Sequence, residues 1–231
     1  MTDGALAAWL PRVADYLEVL AYCSLSIPAG VALVHWQRLT RPVQLLAVVP
    51  AFMLVLFTLM RLTVAFGLQN IWLAHLAAIG ETVCYICAFS LLLPRLRPCR
   101  WWLLGSFLAF AALDSLVLEG LTQLNSYTIA LESFLGILLV LLYFEQEIRH
   151  LAPTNTHRRP LLIAGTGIVL YLAGTVAIYL GSNTFLQTDD GVGMSLLYSI
   201  NSMLLLVLAA FFTRAFWLSC RIPASGLQVI R

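Results

Sequence analysis

Long apolar stretches alternate with short polar segments along the whole chain. A helix that crosses a bilayer needs about 20 mostly apolar residues, and seven stretches are close to that length. They cover approximately residues 15–36, 43–68, 72–93, 101–121, 128–144, 161–180 and 194–217. The pattern therefore predicts an all-α membrane protein, a seven-transmembrane-helix bundle with residues 15–217 as its transmembrane domain.

The two ends of the chain are shorter and more polar than the spans. Residues 1–14 contain an apolar run that is too short to cross a bilayer and stops at Pro11. With Trp9 at headgroup level, this segment is expected to be a short interfacial helix rather than a signal peptide, because it lacks a basic leader. Residues 218–231 are expected to form a short cytoplasmic tail.

Arginines are concentrated in alternate connections. The first, third and fifth loops and the tail carry most of them, at Arg38, Arg41, Arg95, Arg97, Arg100, Arg149, Arg158, Arg159, Arg221 and Arg231. The second, fourth and sixth loops carry none, and the sixth holds Asp189 and Asp190. Short cytoplasmic loops are enriched in basic residues, so the pattern predicts an N-terminus outside and a C-terminus in the cytoplasm.

Composition strengthens the membrane assignment and narrows the function. Hydrophobic residues make up 61% of the chain and charged residues 10%, against about 25% charged in soluble domains. All basic residues other than histidine are arginine, and the lack of lysine argues against a retinal protein, which needs a lysine amine. The arginines are spread over loops, so we expect no nucleic-acid partner.

The first span carries more polar groups than an anchor needs. Asp15, Glu18 and Tyr22 lie at i, i+3 and i+7, which places them on one helical face. Pro28 then removes one backbone hydrogen bond and predicts a kink. The alternative is that the two carboxylates lie among the lipid headgroups and are simply solvated.

Other spans place polar residues at the same level, in the half that is expected to face outside. An ionisable group costs about 2.5–3.5 kcal/mol at the centre of an inserting helix, so such groups normally face a cavity or one another. We therefore predict an outward-facing polar cavity whose ligand-binding residues are Asp15, Glu18, Tyr22, Arg61, Glu81, Asp114, Glu132, Tyr198 and Asn201.

Acidic residues outnumber the single arginine in this layer. Either some carboxyls are protonated or the cavity takes a cation. The alternative to a cavity is a dry ion-paired core, in which Arg61 pairs with Glu81 or Asp15 and keeps the bundle in register.

The first spans resemble the sensor domain of ethylene receptors. That family has an Asp and a Tyr seven residues apart in an A-Y-x-S-I-P context, which is similar to Asp15, Ala21-Tyr22-Cys23-Ser24 and Ser26-Ile27-Pro28, with Leu25 and Ser26 as an insertion. The second span contains Ala51-Phe52-Met53-Leu54, similar to the family's A-F-I-L, and Leu93-Pro94-Arg95-Leu96 is similar to the end of its third helix. The resemblance covers the first hundred residues and implies a membrane sensor module.

The resemblance does not extend to the family's copper site. A Cys and a His four residues apart bind Cu(I) in the family, whereas these positions are Leu56 and Met60 here, or Phe57 and Arg61 in the neighbouring register. Cu(I) needs soft thiolate, thioether or imidazole ligands, so we expect no metal and no cofactor. The family continues into a cytoplasmic histidine kinase. About a dozen residues follow the last span here, so we expect signalling through a partner, or through the rest of a longer product.

These observations predict a non-catalytic sensor of a bacterial inner membrane. It would bind a small ligand or a membrane partner in the cavity and act on a membrane-protein or cytoplasmic signalling partner. Two alternatives remain: an accessory subunit of a larger membrane complex, and a small proton-coupled transporter with Glu81 and Asp114 as relay carboxyls. An enzyme is not expected, because His35, His75, His150 and His157 lie at span ends and form no ligand cluster.

Overall fold

The computed structural model describes residues 3–121, 123, 125–149, 160–187 and 191–221. Its long elements are eight helices: α1 Asp3–Ser24, α2 Ser26–Val34, α3 Arg41–Ala65, α4 Ile71–Leu92, α5 Arg100–Leu113, α6 Ser126–Arg149, α7 Pro160–Gln187 and α8 Gly191–Arg221. A π-helical turn, Asp114–Leu118, extends α5, and short 3₁₀ turns lie at Trp36–Arg38 and Pro94–Leu96. The sequence predictions for residues 1–2, His150, His157, Arg158, Arg159, Asp189, Asp190 and residues 222–231 lie outside the described residues.

Seven of the helical segments in the described ranges are long and apolar enough to cross a membrane, and these ranges contain no strand. The first of the seven, Trp9–Val34, joins α1 and α2, and the fourth, Arg100–Leu118, joins α5 and the π-helical turn. The prediction of an all-α chain with seven such helices is confirmed. Insertion in a bilayer and the orientation of the termini stay predictions.

The first span breaks where the sequence indicated. Leu25 separates α1 from α2, and its amide donates to the Tyr22 carbonyl at 3.1 Å, as in a tighter helical turn. Pro28 has no amide hydrogen to donate to the carbonyl of Ser24, one turn back. α1 itself begins at Asp3, so the predicted interfacial segment runs into the span without a break. Its position at a membrane surface stays a prediction.

Six of the spans form a closed ring. The α1–α2 span packs on α3, α3 on α4, α4 on α6, α6 on α7, α7 on α8, and α8 returns to α1 and α2. α5 packs mainly on α4, outside this ring, and its Trp101 and Trp102 are exposed. Short connections favour antiparallel neighbours, which accounts for the packed pairs that follow each other in the chain, such as α3 with α4 and α7 with α8.

The two ends of the ring differ. The arginine end contains Arg38, Arg41, Arg95, Arg97, Arg100, Arg149 and Arg221, and the half next to it is filled by a core that includes Phe89, Tyr143, Ile168, Phe212 and Phe216. The opposite end, here called the cavity end, contains the turn 66–70 and the connection between α5 and α6. At the cavity end the ring is less densely filled, and the polar residues lie there.

Glycines allow α7 to approach both of its neighbours. A Cβ atom on Gly165 would contact Phe144 and Val140 of α6, and one on Gly167 would lie 2.6 Å from the Cβ atom of Phe211 on α8. Small residues are a common means of close helix approach in membranes. These contacts hold α7 close to both α6 and α8.

Replacing Gly167 by alanine should destabilise the bundle. The added methyl group meets the Phe211 Cβ atom, which cannot move without moving α8, and overpacking of this kind costs about 1–3 kcal/mol. The matched control is Gly105→Ala on α5, where a Cβ atom meets nothing within 4 Å. Thermal unfolding in one detergent should show a lower midpoint for Gly167→Ala than for wild type and no loss for Gly105→Ala. Equal midpoints would contradict the packing described here.

Candidate functional site

A cavity of about 900 Å³ lies at the cavity end, surrounded mainly by α1, α4, α6, α7 and α8. Its polar lining consists of carboxyl, phenol, amide and hydroxyl groups, from Glu18, Tyr22, Asn70, Glu81, Glu119, Gln123, Tyr127, Glu132, Tyr171, Thr175, Tyr179, Tyr198 and Asn201. Apolar side chains of Met60, Ile71, Ala74, Ala77, Ala78, Leu118, Ile129 and Leu172 complete it. Among the described residues that line it, none is basic.

Six of the nine predicted ligand-binding residues line this cavity: Glu18, Tyr22, Glu81, Glu132, Tyr198 and Asn201. Asp15, Arg61 and Asp114 lie outside the lining. Most of the polar residues that the sequence places at one depth in the membrane therefore lie around a single cavity in the fold. The role of these residues in binding stays a prediction.

Arg61 is held at the edge of the cavity by the acidic face of α1. Its guanidinium lies 2.6 Å from the Asp15 carboxylate and 3.3 Å from that of Glu18. One turn earlier on α3, the ring of Phe57 stacks on Tyr22 with 4.1 Å between ring centroids, and Arg61 lies 5.2 Å above the centroid of the same ring. Asp15, Glu18 and Tyr22 thus form one face of α1. This face contacts Phe57 and Arg61, which lie one turn apart on α3. Of the two pairings considered for Arg61, the structure has Asp15, with Glu18 in addition.

Glu81 and Glu132 face each other across the deeper part of the cavity. They project from the middle of α4 and from the second turn of α6, and each side chain is only 5% exposed. They are close enough to interact electrostatically. The Oε1 atom of Glu132 has no hydrogen-bond partner in the described part of the chain. A buried carboxyl oxygen without a partner is unusual, because burying such a group costs about 1–3 kcal/mol.

The polar face of α7 is the main part of the lining that the sequence interpretation missed. Tyr171, Thr175 and Tyr179 lie at i, i+4 and i+8 and all line the cavity. The spacing is visible in the sequence, but these three residues were not among the predicted ligand-binding residues. Tyr127, at the start of α6, was missed too. With these residues, five tyrosines line the cavity.

Asp114 has a capping role in the structure. It begins the π-helical turn and is fully buried, and its Oδ2 atom accepts hydrogen bonds from the Thr128 amide at 3.1 Å and the Thr128 hydroxyl at 2.5 Å. The first amides of a helix have no partner within the helix, and a carboxylate there is favoured by the helix dipole. Asp114 therefore connects the end of the fourth span to the start of α6, behind the cavity wall.

His75 attaches the connection between α5 and α6 to α4. It is buried, its Nδ1 atom lies 2.8 Å from the Ser115 hydroxyl, and its Nε2 atom lies 3.2 Å from the Gln123 carbonyl. A carbonyl only accepts, so Nε2 carries the proton and Nδ1 is free to accept from Ser115. Gly120, with a φ of +76°, makes the turn that brings Gln123 back to the ring. The sequence placed His75 at a span end and did not indicate this contact.

Glu119 closes the cavity at the same place. Burial raises the pKa of its carboxyl, the nearby Asp114 carboxylate raises it further, and the amides of Tyr127 and Ser126 act in the opposite direction. These amides belong to the first turn of α6, so Glu119 and Asp114 both interact with the positive end of this helix. The loop that borders the cavity is thus held by α4 on one side and by α6 on the other.

Comparison of the chain with protein-family models, with curated proteins and with solved structures finds no match. Among the described residues, no group of three or more His, Cys, Asp or Glu side chains is arranged to hold a metal ion. The resemblance to ethylene receptors stays a prediction. In one of its two registers, the positions of the copper ligands are Phe57 and Arg61, which contact Tyr22 and Asp15 of α1.

Removal of the Asp114 carboxylate should destabilise the protein. Asp114→Ala leaves the buried Thr128 amide and hydroxyl without their acceptor, which should cost about 1–3 kcal/mol. Asp114→Asn keeps an acceptor oxygen and should lose less. Thermal unfolding midpoints should rank wild type above Asp114→Asn and Asp114→Asn above Asp114→Ala. A midpoint of Asp114→Ala equal to that of wild type would exclude the capping role.

Proposed function

We propose that this chain is an integral membrane protein that binds a small ligand in the described cavity and acts as a sensor. The seven apolar helices support membrane insertion. The arginine end holds basic residues from alternate connections, which supports a cytoplasmic position for that end and an outward-facing position for the cavity. We place the protein in a bacterial inner membrane.

The observation that carries the proposal is a ligand-sized cavity with polar atoms that the described protein leaves without partners. Its volume of about 900 Å³ lies within the usual range for ligand sites, about 300–1,000 Å³. Both Glu132 Oε1 and Asn201 Oδ1 lack a hydrogen-bond partner among the described residues, and both residues line the cavity. These atoms are buried at the cavity wall, and a bound polar ligand would supply partners for them after a small rotation of each side chain.

The broken first span links the cavity to the arginine end. Glu18 and Tyr22 of α1 line the cavity, whereas α2 beyond the break at Leu25 leads to Arg38 and Arg41. A ligand that contacts α1 would favour one angle at this break over another, because a ligand shifts an equilibrium towards the state that it binds better. The loops of the arginine end would transmit this change to a membrane-protein or cytoplasmic signalling partner.

A proton-coupled transporter is the second candidate. The facing pair Glu81 and Glu132 favours it, because paired intramembrane carboxyls are typical of proton relays. Asp114, the other carboxyl predicted for the relay, lies outside the cavity lining. Transport also needs access from both sides of the membrane. In this structure the core around Phe89, Phe212 and Phe216 fills the half of the ring towards the arginine end, which favours the sensor.

Filling the cavity should abolish ligand binding without unfolding the protein. Ala77 lines the cavity, and Ala77→Trp would occupy part of it. Ala112→Trp on the exposed face of α5 is the matched control. Purified variants would be screened by thermal shift against small metabolites that include cations, anions and neutral compounds. A ligand at 100 times its Kd stabilises the protein by about 2.7 kcal/mol.

At least one compound should raise the midpoints of wild type and Ala112→Trp, and the same compound should leave Ala77→Trp unchanged. Equal stabilisation of Ala77→Trp would place binding elsewhere. If no compound stabilises the wild-type protein, the proposed function is wrong.

A further inference from the structure

We infer that the ligand of this cavity is a small organic cation, an amine or quaternary ammonium compound with an apolar body, bound between Glu81, Glu132 and the surrounding tyrosines. The inference rests on the proposed function, because it names the chemical class of ligand for the same site. Three properties of the lining support it: its charge, its aromatic content and its size.

The charge of the lining is one-sided. Four glutamates line the cavity, and the described lining includes no basic side chain. Two of the four already have favourable partners: Glu18 lies 3.3 Å from the Arg61 guanidinium, and Glu119 interacts with the amides of Ser126 and Tyr127. Glu132 interacts with the Thr82 hydroxyl, but neither Glu81 nor Glu132 has a basic partner in the described part of the chain.

The position of Glu81 and Glu132 indicates a ligand that carries a positive charge. Both residues are buried, and their carboxyls lie close enough to interact, on helices α4 and α6 that pack on each other. Carboxyls in such a place are stabilised by a proton, by a basic side chain or by a bound cation. The nearest described arginine of the ring, Arg61, is engaged by Asp15 and Glu18. Glu132 lines the cavity, and its buried Oε1 atom has no hydrogen-bond partner among the described residues. A rotation of this side chain towards the cavity would let a ligand N–H or a positive methylammonium group supply the missing interaction.

The aromatic lining favours an organic cation over a metal ion. Five tyrosines line the cavity: Tyr22, Tyr127, Tyr171, Tyr179 and Tyr198. The face of an aromatic ring attracts a cation, and aromatic cages are a recurring means of binding quaternary ammonium groups. Hard metal ions instead take about six to eight oxygen ligands at short distance. Ala74, Ala77 and Leu172 provide the apolar surface that an organic body would contact.

Size supports the same class. A cavity of about 900 Å³ is far larger than a single inorganic ion, which would leave the tyrosine and alanine surfaces without a contact. A cation with several carbon groups would fill the space between α4, α6 and α7. It would also neutralise the pair at its deeper end.

Equilibrium binding with a matched pair of probes tests the inference. The labelled probe is radioactive tetraphenylphosphonium. The competitors are tetraethylammonium, choline and triphenylphosphine oxide, which is neutral and keeps three of the four phenyl groups of tetraphenylphosphonium. Purified protein in detergent should bind the labelled cation saturably, at one per chain. One or both of the other cations should displace it, and triphenylphosphine oxide should compete at least tenfold more weakly than unlabelled tetraphenylphosphonium.

Variants connect the binding to the two carboxyls. Glu132→Gln and Glu81→Gln keep the size of the side chain and should each weaken tetraphenylphosphonium at least tenfold, while competition by triphenylphosphine oxide should change less than threefold. Glu145→Gln at the arginine end, where Glu145 pairs with Arg149, is the control and should bind as wild type. Elution as a single species in size-exclusion chromatography verifies the fold of each variant.

Each other outcome overturns the inference. Equal competition by triphenylphosphine oxide would show a cavity without preference for positive charge, and the proposed function would stand. Unchanged cation affinity in both glutamine variants would place the cation elsewhere. If none of the cations binds, the inference is wrong, and the Ala77→Trp screen with neutral and anionic compounds then decides separately whether the cavity is a ligand site.

Discussion

The ion cluster of Arg61 with Asp15 and Glu18 determines the character of the rest of the cavity end. It uses the arginine nearest to the cavity to join α1 to α3, with distances of 2.6 and 3.3 Å. The cluster is half-exposed at the edge of the ring, where an ion pair contributes little by itself. The cluster matters because it engages Arg61, so that the deeper carboxyls of Glu81 and Glu132 have no described basic partner.

The ring around these carboxyls depends on where small and large residues lie. The glycines of α7 allow close contact with α6 and α8, and the large aromatic residues of the core occupy the half nearer the arginine end. At the other end the large side chains, among them five tyrosines, surround a polar space and do not fill it. Asp114, Glu119 and His75 then hold the connection between α5 and α6 in place at its border. The cavity is therefore a consequence of uneven packing along the ring.

Much of this organisation could be predicted from the sequence. The length of an apolar stretch and the position of a polar residue within it can both be read along the chain. The seven apolar helices, the polar face of Asp15, Glu18 and Tyr22, and the kink near Pro28 belong to this class. The position of α5 outside the ring could not be predicted, since hydropathy does not show how a helix is arranged among its neighbours. The capping role of Asp114 depends on the π-helical turn, which has no local sequence signal. Tyr171 and Tyr179 could have been found from their spacing.

The central claim is that the cavity is open to water on the outer side of a membrane, and cysteine labelling in intact cells tests it most directly. Ala77→Cys, introduced after replacement of the native cysteines, should react with a membrane-impermeant thiol reagent added from outside. Ala112→Cys, on the exposed face of α5, should remain unlabelled because it would face lipid. Labelling of Ala77→Cys only after permeabilisation, or no faster than Ala112→Cys, would contradict the account.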